Sequence, residues 1–535
     1  MENARTPGLV ALLLMVFSTA GSGCRKEAKP QWDVDLLAPL VITSFTIRDV
    51  LPDSDLITGS QGALTLLFRS DLFVLDLDTL LSAPDTSFVY SYALPTPGPL
   101  NFPAGTNFFG ENDVTRFDLQ DLELSRLDLR EGTLELSLKN MVASTVIGTV
   151  DLPGVTFATG TSAMNASVGP GTPANPALAS ASRDLAGSVF DLRGPDFNSV
   201  NTLTTSISAQ LDQNGAGATV TDQDSLIATV SYNGLVPQYA KGYFGSRTVH
   251  VGPEVSNLGL FNNVVGGSID LDQVALRMRL ENGFGADVRV AIRYLTALNS
   301  TTGNSVDLMH SIIPGPINLN RALDLGFGFT PSVYENELDN TDSNLDLFLE
   351  NLPDQLSYEL DVHLNPLGDI SNGNDFLYFE SKLKASLELE IPLRLIANDL
   401  TLQNILTPEL PGTAEAHGLQ SGKLMLFATN GFPFDARLEL DIVDADGQVL
   451  SSLPVTGSIA SGVLGVNALV QYATESRMET DLTAEQVDLL YAGGRLRTRV
   501  AFTTIDQTQH LRILDSYKLD LQITAAANYI VNGNE

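Results

Sequence analysis

The feature that most constrains this chain is an every-second-residue alternation that recurs three times around an asparagine. "TLELSLKNMVASTVIGTV" (133–150), "ALRMRLENGFGADVRVAI" (275–292) and "KLMLFATNGFPFDARLEL" (423–440) align on Asn140, Asn282 and Asn430, which are 142 and 148 residues apart. Ahead of the anchors, alternate positions are apolar: Leu134, Leu136 and Leu138, then Leu276, Met278 and Leu280, then Leu424, Leu426 and Ala428. The rhythm resumes after the second and third anchors at Ala286, Val288, Val290 and Ile292 and at Ala436, Leu438, Leu440 and Ile442. Period two with one wet face predicts strands of half-buried sheets.

Parity limits how these strands join. In a two-residue hairpin at Asn430-Gly431, Leu426 would share a face with Asp435, and Leu424 with Arg437. A one-residue slip inverts faces in this way, so the simple hairpin is rejected. A loop of three or five residues is expected, or one long strand broken at Gly431 and Pro433, since proline has no N–H for a sheet ladder.

Two further landmarks keep the register. "DSLIATVSY" (224–232), "ESKLKASLELEIPL" (380–393) and "DSYKLDLQITAAA" (515–527) each open on an acid and a serine. Between them and the asparagines lie the strand-like "TLTTSISAQL" (202–211), "QLSYELDVHL" (355–364) and "RLRTRVAFTT" (495–504). A short helix is expected before that strand in two copies. In "SNLDLFLENLP" (343–353) it is capped by Ser343; in "TAEQVDLLYAGG" (483–494) it has a Thr483/Gln486 capping box. A period near 145 is domain-sized, far above the 20–50 residues of a solenoid.

The expected fold class is therefore all-β, with about three tandem homologous β-sandwich-like domains and one short helix in at least two of them. The organisation read from the sequence is a signal peptide at 1–23, a tether at 24–35, a strand-rich N-terminal region at 36–120, and repeats at 121–250, 260–395 and 405–535. At 535 residues the chain exceeds what one core can hold.

The leader has its own chemistry. Arg5 precedes the apolar run "LVALLLMVFSTA" (9–20), and "GSGC" ends on Cys24, the sole cysteine of the chain. A positive start, a short apolar core and small residues make a secretory signal, too short to cross a bilayer as a helix. A cysteine directly after small residues resembles the leader of a bacterial lipoprotein, which implies lipid attachment at Cys24. "WDVDLLAPLVITSFTIRDVLPDSD" (32–55) resembles the opening of large exported lipoproteins of Gram-negative bacteria, where a Trp-Asp pair precedes Pro-Leu. The segment Asn430-Gly431-Phe432-Pro433 is similar to the "N-x-x-P" of the water-stress, late-embryogenesis domains, which implies a fibronectin-like sandwich; a lipid-tunnel fold with a helix is the other reading.

Sixty-four acids against 30 bases leave a formal charge of −34. Such a chain repels phosphate backbones, so nucleic acid is not expected as a partner. With no other cysteine, the exported part must be stable without disulfides. The sequence contains no HExxH, Gly-x-Ser-x-Gly, P-loop or dinucleotide fingerprint, and no residue can be given a catalytic role.

Two acidic stretches are candidate calcium ligands: Asp441, Asp444 and Asp446 in "DIVDADGQ", and Glu335, Glu337, Asp339 and Asp342 in "ENELDNTDSNLD". Neither has full EF-hand spacing, and the competing readings are an Asp-Gly turn and a solvated loop. Tyr239, Tyr243 and Phe244 in "VPQYAKGYFG" form a candidate binding patch for a sugar or protein, or else a seal at a domain junction. The role expected is a lipid-anchored envelope protein that binds, braces or scaffolds at the outer membrane or cell surface, with an envelope protein or glycan as partner. A carrier of lipid or another apolar ligand is the alternative. A polysaccharide-acting enzyme, which needs two facing carboxylates, ranks third.

Overall fold

The computed structural model describes residues 31–532, apart from 50, 52–54, 77–83, 94–97, 262, 411, 414, 415 and 418. The signal peptide and Cys24 lie outside the described residues. The chain forms two compact units. Among the described residues, one holds 31–49, Asn263–Ile269 and 395–532; the other holds those of 51–261 and Asp270–Arg394.

Each aligned asparagine ends an inner strand of its sheet, with a paired strand on either side. Glu123–Asn140 lies between Ala177–Asp184 and Ser225–Tyr243; Ala275–Asn282 between Ser332–Asp339 and Leu383–Pro392; Leu419–Asn430 between Thr474–Leu482 and Lys518–Asn532. The chain then crosses to a second sheet, where Val146–Asp151, Val288–Asn299 and Asp435–Val443 pair with Thr202–Leu211, Gln355–Leu364 and Arg495–Thr503. Three all-β sandwiches with one plan result. Alternate residues of both sheets point into one core, which is why apolar parity survives the crossing. Leu138 and Gly148 show the facing: a Cβ at Gly148 would meet the Leu138 side chain at 2.8 Å.

The crossing corrects the expected loop. The strands flanking Asn430 do not pair, because they belong to different sheets. Five residues make the crossing in copies one and two and four in copy three, so it is neither a hairpin nor one continuous strand.

All three anchors are wholly buried and make the same bonds. Asn140 Nδ2 donates to the carbonyls of Ser144 (2.9 Å) and Gly169 (2.8 Å), and its Oδ1 accepts from the Val142 amide (2.8 Å). Asn282 repeats this with Ala286, Asn320 and Phe284, and Asn430 with Phe434, Ala460 and Phe432. The next amide, of Met141, Gly283 or Gly431, donates to Ser225, Lys382 or Lys518. A side chain with two donors and an acceptor satisfies a crossing whose own backbone cannot join either ladder. The strand opposite each anchor carries Leu226, Leu383 or Leu519 at the paired position. The acid-serine pairs thus mark the right strand, with a register that slips by up to two residues.

Each sandwich opens one strand earlier than the repeat boundaries drawn at 121, 260 and 405. Asn107–Arg116, Arg247–Asn257 and Arg394–Leu406 pair with the middle strand of the second sheet in copies one, two and three. Gln31–Thr46 begins inside the span read as tether. The N-terminal region contributes flanking strands in reverse order: Thr86–Ala93 to copy one, Leu64–Leu75, with Leu56–Thr58 outside it, to copy two and Gln31–Thr46 to copy three.

The helix Ala484–Tyr491 has the expected capping box, with Thr483 Oγ1 accepting from the Gln486 amide and Gln486 Oε1 from the Thr483 amide. The helix Leu345–Glu350 is capped differently. Asn344, not Ser343, holds the N-cap position, and Ser343 Oγ donates to the Asp339 carbonyl.

Candidate functional site

The stretch 236–243 lies within a strand, so Tyr239 and Phe244 are buried rather than displayed on a loop, and Tyr243 is half-buried. Asp375–Tyr378 of copy two pairs with this strand of copy one, placing Tyr239 opposite Tyr378. Their ring centroids are 4.8 Å apart, and Phe376 and Phe329 complete the cluster.

Above this floor lies an open groove of about 780 Å³. Asp324 lines it and accepts from both phenols, Tyr239 at 2.9 Å and Tyr378 at 2.8 Å, and from the Gly326 amide at 2.8 Å. Burial would raise the Asp324 carboxyl, but these donors and the Lys241 charge hold it below the ordinary range. Burial, then the shared carboxylate, pushes both phenols up, Tyr378 to about 12. Both tyrosines therefore stay neutral donors at any physiological pH.

The walls are planar and polar. Arg126 pairs with Asp128 at 2.7 Å, and its guanidinium stands 5.4 Å from the centroid of the Tyr239 ring. Gln238 reaches Glu380 at 3.4 Å. The rim is a short hairpin, Leu323-Asp324 against Phe329-Thr330. Its tip holds Phe327 at 88% exposure between Gly326 and Gly328. Gly326 has φ +81°, a conformation a side chain strains against.

Sequence reasoning reached Tyr239 and missed Asp324, Phe327, Tyr378 and Arg126. One signal was present: a phenylalanine between two glycines in "LDLGFGFT" is an aromatic ring on a tight turn.

The calcium candidates do not converge, and no group of three or more metal-ligating side chains occurs among the described residues. Asp441 is buried against Arg497 at 2.7 Å and Arg499 at 3.3 Å and accepts from Ser452. Asp444 folds a turn, its Oδ1 accepting from the amides of Asp446 and Gln448. Glu337 pairs with Arg277 at 3.0 Å, and Glu335 with Arg279. Asp339 accepts from the Thr341 amide, and Asp342 from the Asp339 amide. An acid already held by a guanidinium or a turn is a poor ligand for a hard cation that needs six or more oxygens.

Two other polar surfaces are self-satisfied. In copy two, Arg69, Glu388, Arg277 and Glu337 form a continuous charge ladder across three strand pairs. On its second sheet, His250 Nδ1 lies 2.5 Å from Asp361, which also accepts from Arg293, while His363 Nδ1 lies 2.7 Å from the Thr248 hydroxyl. The groove differs in presenting an unpartnered ring.

No family model and no curated protein matches the chain. Among solved structures it is similar to a candidate secreted protein of Parabacteroides distasonis, at 10% identity over 93% of this chain and 99% of that one. The TM-score is 0.28, too low to carry an argument.

Proposed function

We propose that the protein is an exported, lipid-anchored binding protein of the cell envelope, tethered through Cys24 at the outer membrane or cell surface. The observation that carries the binding role is the junction groove, where an 88%-exposed Phe327 overhangs a polar cleft. A ring held out in water forfeits burial worth roughly 1.5–3 kcal/mol, which a partner restores. Asp324 suits recognition better than proton transfer, because it already accepts three hydrogen bonds and its proton affinity is lowered. The leader and the sole cysteine supply the anchoring half of the reading.

Two measurements test it. Wild-type protein is expected to carry a fed alkyne fatty acid and to fractionate with membranes, whereas Cys24→Ala is expected in the soluble fraction. In the lipidated protein, whose Cys24 sulfur is taken up by the anchor, the thiol of Leu325→Cys, on the groove hairpin, is expected to react with N-ethylmaleimide when purified and to be shielded in cells. A mature N-terminus that is unmodified and not Cys24 removes the anchor. Equal labelling in both settings removes the occupied groove.

A further inference from the structure

The geometry points to a neutral oligosaccharide as the ligand of the junction groove, an assignment that rests on the binding reading above. The groove offers the two things a sugar ring requires. Phe327 gives a flat apolar face to the C–H side of a pyranose, and its turn is fixed by the Leu325 amide donating to the Gly328 carbonyl at 2.9 Å. The Arg126–Asp128 and Gln238–Glu380 pairs set planar donors beside planar acceptors, and each sugar hydroxyl both donates and accepts.

Other ligand classes fit less well. The buried phenols of Tyr239 and Tyr378 form the floor and bond to Asp324, so no deep apolar slot receives an acyl chain. A peptide strand needs a free sheet edge; residues 375–378 end their sheet, but the Phe376 carbonyl already accepts from the Gly285 amide, and the Tyr378 amide and carbonyl bond to Ser381. Among the lining residues Arg126 and Lys241 stand against Asp128, Asp324 and Glu380, on a chain of charge −34, which disfavours phosphorylated or uronic ligands.

The test uses the mature protein in detergent and calorimetric titration with cellohexaose, maltohexaose and xylohexaose. Polygalacturonate and a lysine-rich peptide are the comparison probes. At least one neutral hexaose is expected to bind, and Phe327→Ala to weaken it about tenfold, the worth of one stacked ring. Phe197→Ala, at another exposed ring 4.9 Å from Arg193, is expected to leave binding unchanged and serves as the folding control. No binding of any hexaose at millimolar concentration overturns the assignment, as does binding indifferent to Phe327→Ala, or tighter binding of the peptide or polygalacturonate. If the hairpin thiol is shielded in cells while every hexaose fails, the groove is a binding site and only the sugar assignment falls.

Discussion

Phe45 and Leu519 stand opposite one another in an antiparallel pair, both buried, although 474 residues separate them in the chain. The same reversal holds throughout the N-terminal region, whose first strand completes the third sandwich, whose second long strand completes the second, and whose next completes the first. Each edge pairing must wait for a module made later in synthesis. Closing such long loops costs entropy before any contact is gained.

The three anchors are expected to respond alike to substitution. Replacing Asn140, Asn282 or Asn430 by leucine leaves two buried carbonyls and one amide without partners in each copy. Each orphan costs about 1–3 kcal/mol, so a loss of roughly 3 kcal/mol or more is expected for every one, read from urea denaturation. A neutral result at any anchor would mean that its copy does not use the crossing.

Copy two carries Gly285 where copy three has Pro433, and packing explains it. A Cβ at Gly285 would lie 2.1 Å from the Phe376 ring, which is buried in the junction cluster. Gly285→Ala is expected to cost about 1–3 kcal/mol by overpacking and to shift the aromatic NMR signals of the cluster. An unshifted spectrum would contradict the packing.

Much of this was legible in the sequence, and the limits have physical causes. Asn140, Asn282 and Asn430 were visible because period two holds its phase on both sides of them, and the middle strands 202–211 and 355–364 match their read boundaries. The destination of Gln31–Thr46 was not legible, since an alternating strand carries no address for a partner almost 500 residues away. The copy boundaries were misplaced for the same reason: an opening strand such as Arg247–Asn257 looks like the tail of the previous copy. The groove escaped because its residues come from four separate stretches, joined only by the pairing of Tyr239 with Tyr378.

Two buried carboxylates are expected to give opposite pH slopes. Burial would raise Asp441, but hydrogen bonds from Ser452 and Arg497 and the charges of Arg497 and Arg499 outweigh it and hold it low. Its contribution is complete above the unfolded pKa of about 3.9 and is lost as pH falls through the lower folded value. For Asp375 burial wins over Asn365 and Arg321, so its carboxyl is raised. There the folded state takes up the proton first, and stability falls as pH rises from the unfolded pKa through the folded one. Denaturation across mild acid should show Asp441→Asn flattening the acid loss and Asp375→Asn removing the loss toward neutrality. Parallel slopes in the two variants would refute the assignments.

Asp324 reports on the groove floor. Tyr378→Phe removes one of its two phenol donors, so its carboxyl should titrate higher than in the wild type, and Tyr239→Phe/Tyr378→Phe higher still. Carboxyl-carbon NMR titration reads this directly. An unmoved midpoint would show that the phenols do not share that carboxylate.

The central claim is that three copies of one sandwich each receive a strand from the N-terminal region, in reverse order. Paired cysteines test it most directly, because the Cys24→Ala background has no other thiol. The cross-strand partners are Ser44 with Asp520, Arg69 with Glu388, and Ser87 with Ser231. Antiparallel partners lie about 4.5–5.5 Å apart at Cα, within reach of a disulfide. Each matched pair is expected to oxidise to an intramolecular bridge, seen as faster migration on a non-reducing gel. Swapped pairs such as Arg69→Cys with Ser231→Cys should remain reduced. Bridging in the swapped pairs, or none in the matched ones, would contradict the reverse-order architecture.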